Sequence, residues 1–128
     1  MELGTPGGMR AELNSLVLTG RKTATTCPLD DYAKEIEGLE YLGERMALLD
    51  DHQQSIAVIE ITGVEVQPFS EVTWKHAQAE GEGDASLEEW RAGHRRFWNR
   101  LGIPVEDSTP VVCLAFLVVE DSSPQADR

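Results

Sequence analysis

The sequence predicts an α+β domain, a small curled sheet flanked by helices, on three observations. Residues 55–66 and 111–119 are rich in β-branched side chains and have the lengths of strands. Residues 9–18 and 86–101 space their apolar side chains as helices do. The strands do not alternate one for one with helices, which favours a separate sheet layer over a parallel α/β sheet.

Taken in order, residues 1–8 hold three glycines and a proline and read as a flexible lead. A domain over 9–120 and a polar tail over 121–128 should follow. Met9, Leu13, Leu16 and Val17 recur at helical spacing, and Gly20 is placed to end that helix in a left-handed conformation. Thr23–Cys27, closed by Pro28, reads as a strand. Asp30–Glu44 is charged and reads as a long loop with one helical turn around Tyr32–Ile36. Arg45–Leu49 and Ser55–Val66 should form a hairpin, with a bulge at Gly63. Ser70 is expected to cap a short helix through Trp74, Ala77 and Ala79, which Gly81 and Gly83 end. Ser86-Leu87-Glu88-Glu89 fits a capping box, with Ser at the cap and Glu three residues on. The helix it opens puts Leu87, Trp90, His94, Phe97, Trp98 and Leu101 on one face. Val111–Val119 has the length and composition of a fully buried strand. No repeat or linker divides the chain.

Composition narrows the function. A chain of 128 residues fits one domain and needs no metal or disulfide to hold its core. Its net charge of −12, from 23 acids against 11 bases, repels a phosphate backbone at long range, so duplex DNA is not an expected partner. A small nucleoside or a short single-stranded RNA entering a local pocket remains compatible. Cys27 and Cys113 read as buried thiols. The three histidines lack metal-ligand spacing, and neither a metal nor another cofactor is expected. The start of the chain lacks a basic segment followed by an apolar one, and the longest apolar run, Val111–Val119, falls far short of the ~20 residues of a membrane helix. A cytoplasmic protein is expected.

Three clusters could carry chemistry. Arg21 and Lys22 sit where a helix hands over to a strand, with Thr25 three residues beyond Lys22. They either cap the helix-end carbonyls or line a site, where burial and the adjacent cation would make Lys22 easier to deprotonate. His76 to Asp84 ends in Glu80-Gly81-Glu82-Gly83-Asp84, which is either a solvated acidic turn or a set of carboxylates aimed at a ligand. Arg91, His94, Arg95, Arg96 and Arg100 form either an RNA-facing patch or a surface helix matched to its own dipole.

At these residues the sequence resembles a known family. Leu16–Thr25 is similar to the opening motif of ASCH (activating signal cointegrator homology) domains, a helix end followed by Gly-x-Lys-x-x-Thr. Phe69–Asp84, then Ser86-Leu87-x-x-Trp90-Arg91 and His94, and finally Val111-Val112-Cys113 with Phe116, resemble a stand-alone bacterial branch of it. The resemblance implies a PUA-like small β-barrel flanked by helices, a fold associated with RNA and modified nucleosides. Some bacterial relatives hydrolyse the amide of N4-acetylcytidine with a lysine, a threonine three residues later and a glutamate. Those catalytic roles would fall to Lys22, Thr25 and Glu80, the last ending a His-Ala-x-x-Glu segment. Arg21, Glu82, Trp90, Arg91 and His94 are then candidates for binding substrate, Arg21 as a cation near an oxyanion or phosphate and Trp90 or Trp98 as a surface for stacking a base. The alternative is an RNA- or nucleotide-binding module, or a ribonuclease, without amide hydrolysis. Members of this branch usually carry a further helical segment before the first helix, whereas here Gly4-Thr5-Pro6-Gly7-Gly8 lies close to the motif.

Overall fold

The structure, a computed structural model, describes residues 1–34 and 38–121. Its helices are α1 (Gly8–Leu18), α2 (Trp74–Ala79) and α3 (Leu87–Arg100), and its strands β1 (Ala24–Pro28), β2 (Arg45–Leu49), β3 (Ser55–Pro68) and β4 (Pro110–Asp121). Short 3-10 helices cover Leu29–Lys34 and Phe69–Glu71.

The two longest apolar runs, β3 and β4, pair with each other from Pro68↔Pro110 to Ala57↔Asp121. The register slips at Val58/Ile59 and again at Ile61/Gly63, so the ribbon is bulged where Gly63 was expected to bulge it. A side chain at Gly63 would come within 3.2 Å of the Ala115 Cβ, which explains the choice of residue. β2 adds to β3 as a hairpin and β1 adds to β4, giving the antiparallel order β1-β4-β3-β2. The sheet curls into a half-barrel with the three helices around it, an α+β architecture.

Because successive strand residues face opposite ways, β4 serves two cores. Phe116 joins Leu13, Val17, Leu48, Ile59 and Ile61 on the α1 side. Val111 and Cys113 join Phe69, Ala77, Trp90 and Trp98 on the α2–α3 side. Ser86 caps α3 as its sequence suggests, accepting a hydrogen bond from the Glu89 amide at 3.1 Å.

Local expectations fail in several places. The outer end of β4 is not buried, with Leu117 55% and Val119 43% exposed, and Cys27 is half-buried. Residues 1–8 are not a loose lead: Leu3 is buried in the first core, and the Leu49 amide donates to the Met1 carbonyl at 3.0 Å. Arg10, itself buried, fixes this segment by donating from Nε to the Leu3 carbonyl at 3.0 Å. The cap of α2 is Thr73 rather than Ser70, since Val72 is extended (φ −61, ψ 130) with its side chain in the second core. Leu101 lies just past α3 and is 48% exposed, off the buried face. The turn expected at Tyr32–Ile36 starts earlier, at Leu29, and Ile36 lies outside the described residues, as does the tail beyond Asp121. Among the described residues no helix is long and apolar enough to cross a membrane.

Candidate functional site

Two hand-over points meet to make the site. After α1, Gly20 turns the chain left-handed (φ +80), and the amides of Arg21 and Lys22 both donate to the Leu16 carbonyl at 3.0 Å. That tight turn leaves the Arg21 side chain outside and sends Lys22 inward. After α2, Gly81 takes φ +68 and packs on the same turn, so close that a Cβ there would lie 2.1 Å from the Arg21 carbonyl oxygen. The Thr23 amide donates to the Ala79 carbonyl at 2.8 Å and stitches the two segments together.

The side chains brought together this way are mostly charged and buried. Lys22 is 2% exposed and Glu80 1%. Lys22 Nζ lies 2.8 Å from Glu82 Oε2 and 3.9 Å from Glu80 Oε1. The neighbours of Lys22 are therefore carboxylates, not the second cation that the Arg21-Lys22 pair suggests. Glu80 Oε1 accepts from His94 Nε2 at 3.1 Å, and Glu80 Oε2 accepts from the Thr26 hydroxyl at 2.5 Å. The same hydroxyl lies 2.7 Å from His76 Nε2. Since Thr26 spends its only proton on Glu80, His76 must donate to Thr26. His94 has acceptors on both sides, the Trp90 carbonyl at Nδ1 (2.9 Å) and Glu80 at Nε2, so both ring nitrogens carry protons.

The titration behaviour follows from these contacts. Burial alone would raise the Glu80 pKa, but hydrogen bonds from His76 and His94 and the charge of Lys22 hold it well below the usual carboxylate range. Burial works against charge on both histidines. The Cys113 sulfur and Glu80 outweigh it for His76, pushing its pKa up to about 9, and Glu80 raises that of His94. Glu82 moves the other way: burial and the nearby Glu80 raise its pKa against the pull of Lys22.

A cavity of about 280 Å³ opens onto this cluster, with Lys22, Thr25, Glu80, Glu82 and His94 in its wall. A wider one of about 770 Å³ adjoins it and shares Thr25, Thr26, Phe97 and Trp98. Three of the candidates for binding substrate lie elsewhere. Arg21 is exposed and lines neither cavity. Trp90 is completely buried, stacked between Phe69 (5.6 Å) and His94 (4.1 Å), so no base can reach its face. Arg91 donates to the Ser70 carbonyl at 2.7 Å and braces the approach to α2. Sequence reasoning missed Thr26 and the part played by His76. The signal for His76 was already in its spacing, one helical turn before Glu80. Among the described residues no three His, Cys, Asp or Glu side chains are grouped to hold a metal ion.

The ASCH domain model matches residues 2–120. The chain belongs to the ASCH family. A solved structure from Enterococcus faecalis V583 is 34% identical, with TM-score 0.81 over 94% of this chain and 76% of that one. An ASCH domain from Lactobacillus crispatus JV V101 is 27% identical, with TM-score 0.79 over 94% of this chain and 78% of that one. An ASCH protein from Zymomonas mobilis shares the fold alone, at 13% identity and TM-score 0.53, over 89% of this chain and 66% of that one. No curated protein matches the sequence. The ASCH fold is PUA-like and of the RNA-binding kind, so the half-barrel and its helices are those the opening motif implied.

Proposed function

We propose that the smaller cavity is an active site that hydrolyses the amide of an N-acylated nucleoside such as N4-acetylcytidine. The observation that carries this reading is a buried Lys22 in the wall of the same cavity as Thr25, with Glu80 beside it held charged. Amide hydrolysis needs a nucleophile, a cation where the oxyanion develops and a proton for the leaving amine. Thr25 supplies the hydroxyl that attacks the acyl carbon. Lys22 supplies the cation, fixed by Glu82 at 2.8 Å. Glu80 anchors the wall through Thr26 and the two histidines. At about 280 Å³ the cavity is near the lower end of ligand pockets, a size suited to a nucleoside.

The RNA-binding alternative finds less support, because Arg21 lies off the cavity, Trp90 is sealed and Arg91 is engaged with backbone. Turnover of N4-acetylcytidine by the wild type and by Lys22→Met tests the proposal. The variant is expected to lose about 10²–10³ in kcat with an unchanged circular dichroism spectrum. Wild-type turnover that survives the substitution rejects the mechanism. Salt-sensitive binding of short RNA without any turnover favours the alternative.

A further inference from the structure

We propose that Glu82, and not Glu80, is the carboxyl that carries the proton from Thr25 to the leaving amine. This rests on the hydrolase reading above. Glu80 is badly placed for the work, since its side chain is 1% exposed and both its oxygens are taken, one by His94 and the other by Thr26. With one oxygen committed to His94 and the other to Thr26, Glu80 is held as the acceptor of its neighbours, and its burial leaves little room for a substrate nitrogen to reach it.

Glu82 has what Glu80 lacks. It lines the same cavity, its side chain is 27% exposed, and one of its oxygens is held by Lys22 at 2.8 Å. Gly81 is pressed against the Arg21 backbone, whereas Gly83 (φ +90) has nothing within 4 Å of where a Cβ would be. The charged groups around Glu82 are Lys22 ahead of β1, Glu80 and Asp84 on its own turn, and His94 and Arg100 from α3. Its raised pKa suits a group that must both take and give a proton.

The step balances without another reactant besides water. As the Thr25 oxygen bonds to the acyl carbon, its proton passes to the Glu82 carboxylate and the carbonyl oxygen becomes an oxyanion facing Lys22. The carbonyl re-forms, the C–N bond breaks, and Glu82 returns the proton to the departing nitrogen, which leaves as the free amine of the base. Water then attacks the acyl-Thr25 ester and gives its proton to Glu82. Glu82 passes that proton to the Thr25 oxygen as the carboxylic acid departs.

The test compares wild type, Glu82→Gln and Glu80→Gln on N4-acetylcytidine and on p-nitrophenyl acetate, whose leaving group needs no proton. Glu82→Gln should lose about 10²–10⁴ in kcat on the amide with KM little changed. It should also lose the rising limb of the pH–rate profile, and its deficit on the ester should be at least ten-fold smaller. Glu80→Gln, as a change in positioning, should depress both substrates alike, keep that limb and lower Tm. If Glu82→Gln stays within about three-fold of wild type on the amide, or loses equally on both substrates, the assignment is wrong while the hydrolase reading stands. A wild type with no turnover of either substrate overturns both.

Discussion

Glu80 and Glu82 sit two residues apart on one turn and face the same lysine, yet they live in different solvents. Glu80 lies against a stacked wall of His94, Trp90 and Phe69, with every oxygen bonded. Glu82 faces the cavity and water, with Lys22 as its one strong partner. The result is a pair of shifts in opposite directions, down for Glu80 and up for Glu82. Burial penalises both charges, so it cannot explain the difference. The partners do: Glu80 accepts hydrogen bonds from His94 and Thr26 with His76 and Lys22 close by, where Glu82 accepts from Lys22. The inner carboxylate is the more firmly held of the two, and the outer one is the more open to the cavity.

The largest effect should come from breaking the inner half. Glu80→Ala strands two histidines and Lys22 without their common acceptor and should destabilise by about 3–5 kcal/mol in denaturant melts. A loss below about 1 kcal/mol would mean that the inner cluster is no more essential than the outer one. The same cluster sets a pH dependence. His76 has its pKa raised from 6.5 to about 9, so its contribution is complete below pH 6.5 and lost as pH rises through about 9. Glu80, shifted down, contributes above its ordinary pKa and loses that contribution as pH falls through its depressed value. Tm should therefore decline on the alkaline side, and replacing His76 by Gln should flatten that decline.

Next in size is a contrast between the two glycines of the turn. Gly81→Ala must both hold a positive φ and push the Arg21 carbonyl away, so it should cost more than about 2 kcal/mol. Gly83→Ala meets no neighbour and should cost only about 1–2 kcal/mol, the strain of a left-handed alanine. Equal losses would show that the two ends of the turn are equally held. The smallest effect belongs to Glu82→Gln, whose half-open ion pair should change stability by less than about 1 kcal/mol, measured by the same melts. That small number is what would make its expected loss of turnover a statement about chemistry.

What the sequence shows of this site is uneven, for physical reasons. Lys22 and Glu80 are visible because each stands in a motif beside a glycine that turns the chain. The hairpin, the Gly63 bulge and the Ser86 cap are local events and follow from local residues. Which of Arg21 and Lys22 goes inward is decided by the Leu16 carbonyl, which receives both their amides. Residue type alone does not reveal that. Thr25 and Thr26 are indistinguishable by type, and the pairing Thr26↔Cys113 across the sheet decides which one meets α2. Trp90 fell on the apolar face of its helix, yet the same ring also looked available for stacking until Phe69 and His94 took its two faces. Thr73 displaced Ser70 as a cap because Val72 was drawn into a core that the sequence does not outline.

The backbone seam between Arg21 and Gly81 has a consequence for how the protein assembles. Lys22 and Glu80 are separated by 58 residues, and between them lie β1, the β2–β3 hairpin and α2. A chain that has formed only its local hairpin and its capped helix has no site, because the entropy of closing that loop has yet to be overcome. Contacts of such long sequence separation belong to the slow part of folding. Recovery of the Lys22–Glu80 contact after dilution from denaturant should therefore trail the recovery of helix signal, so that the site itself times the last step of folding.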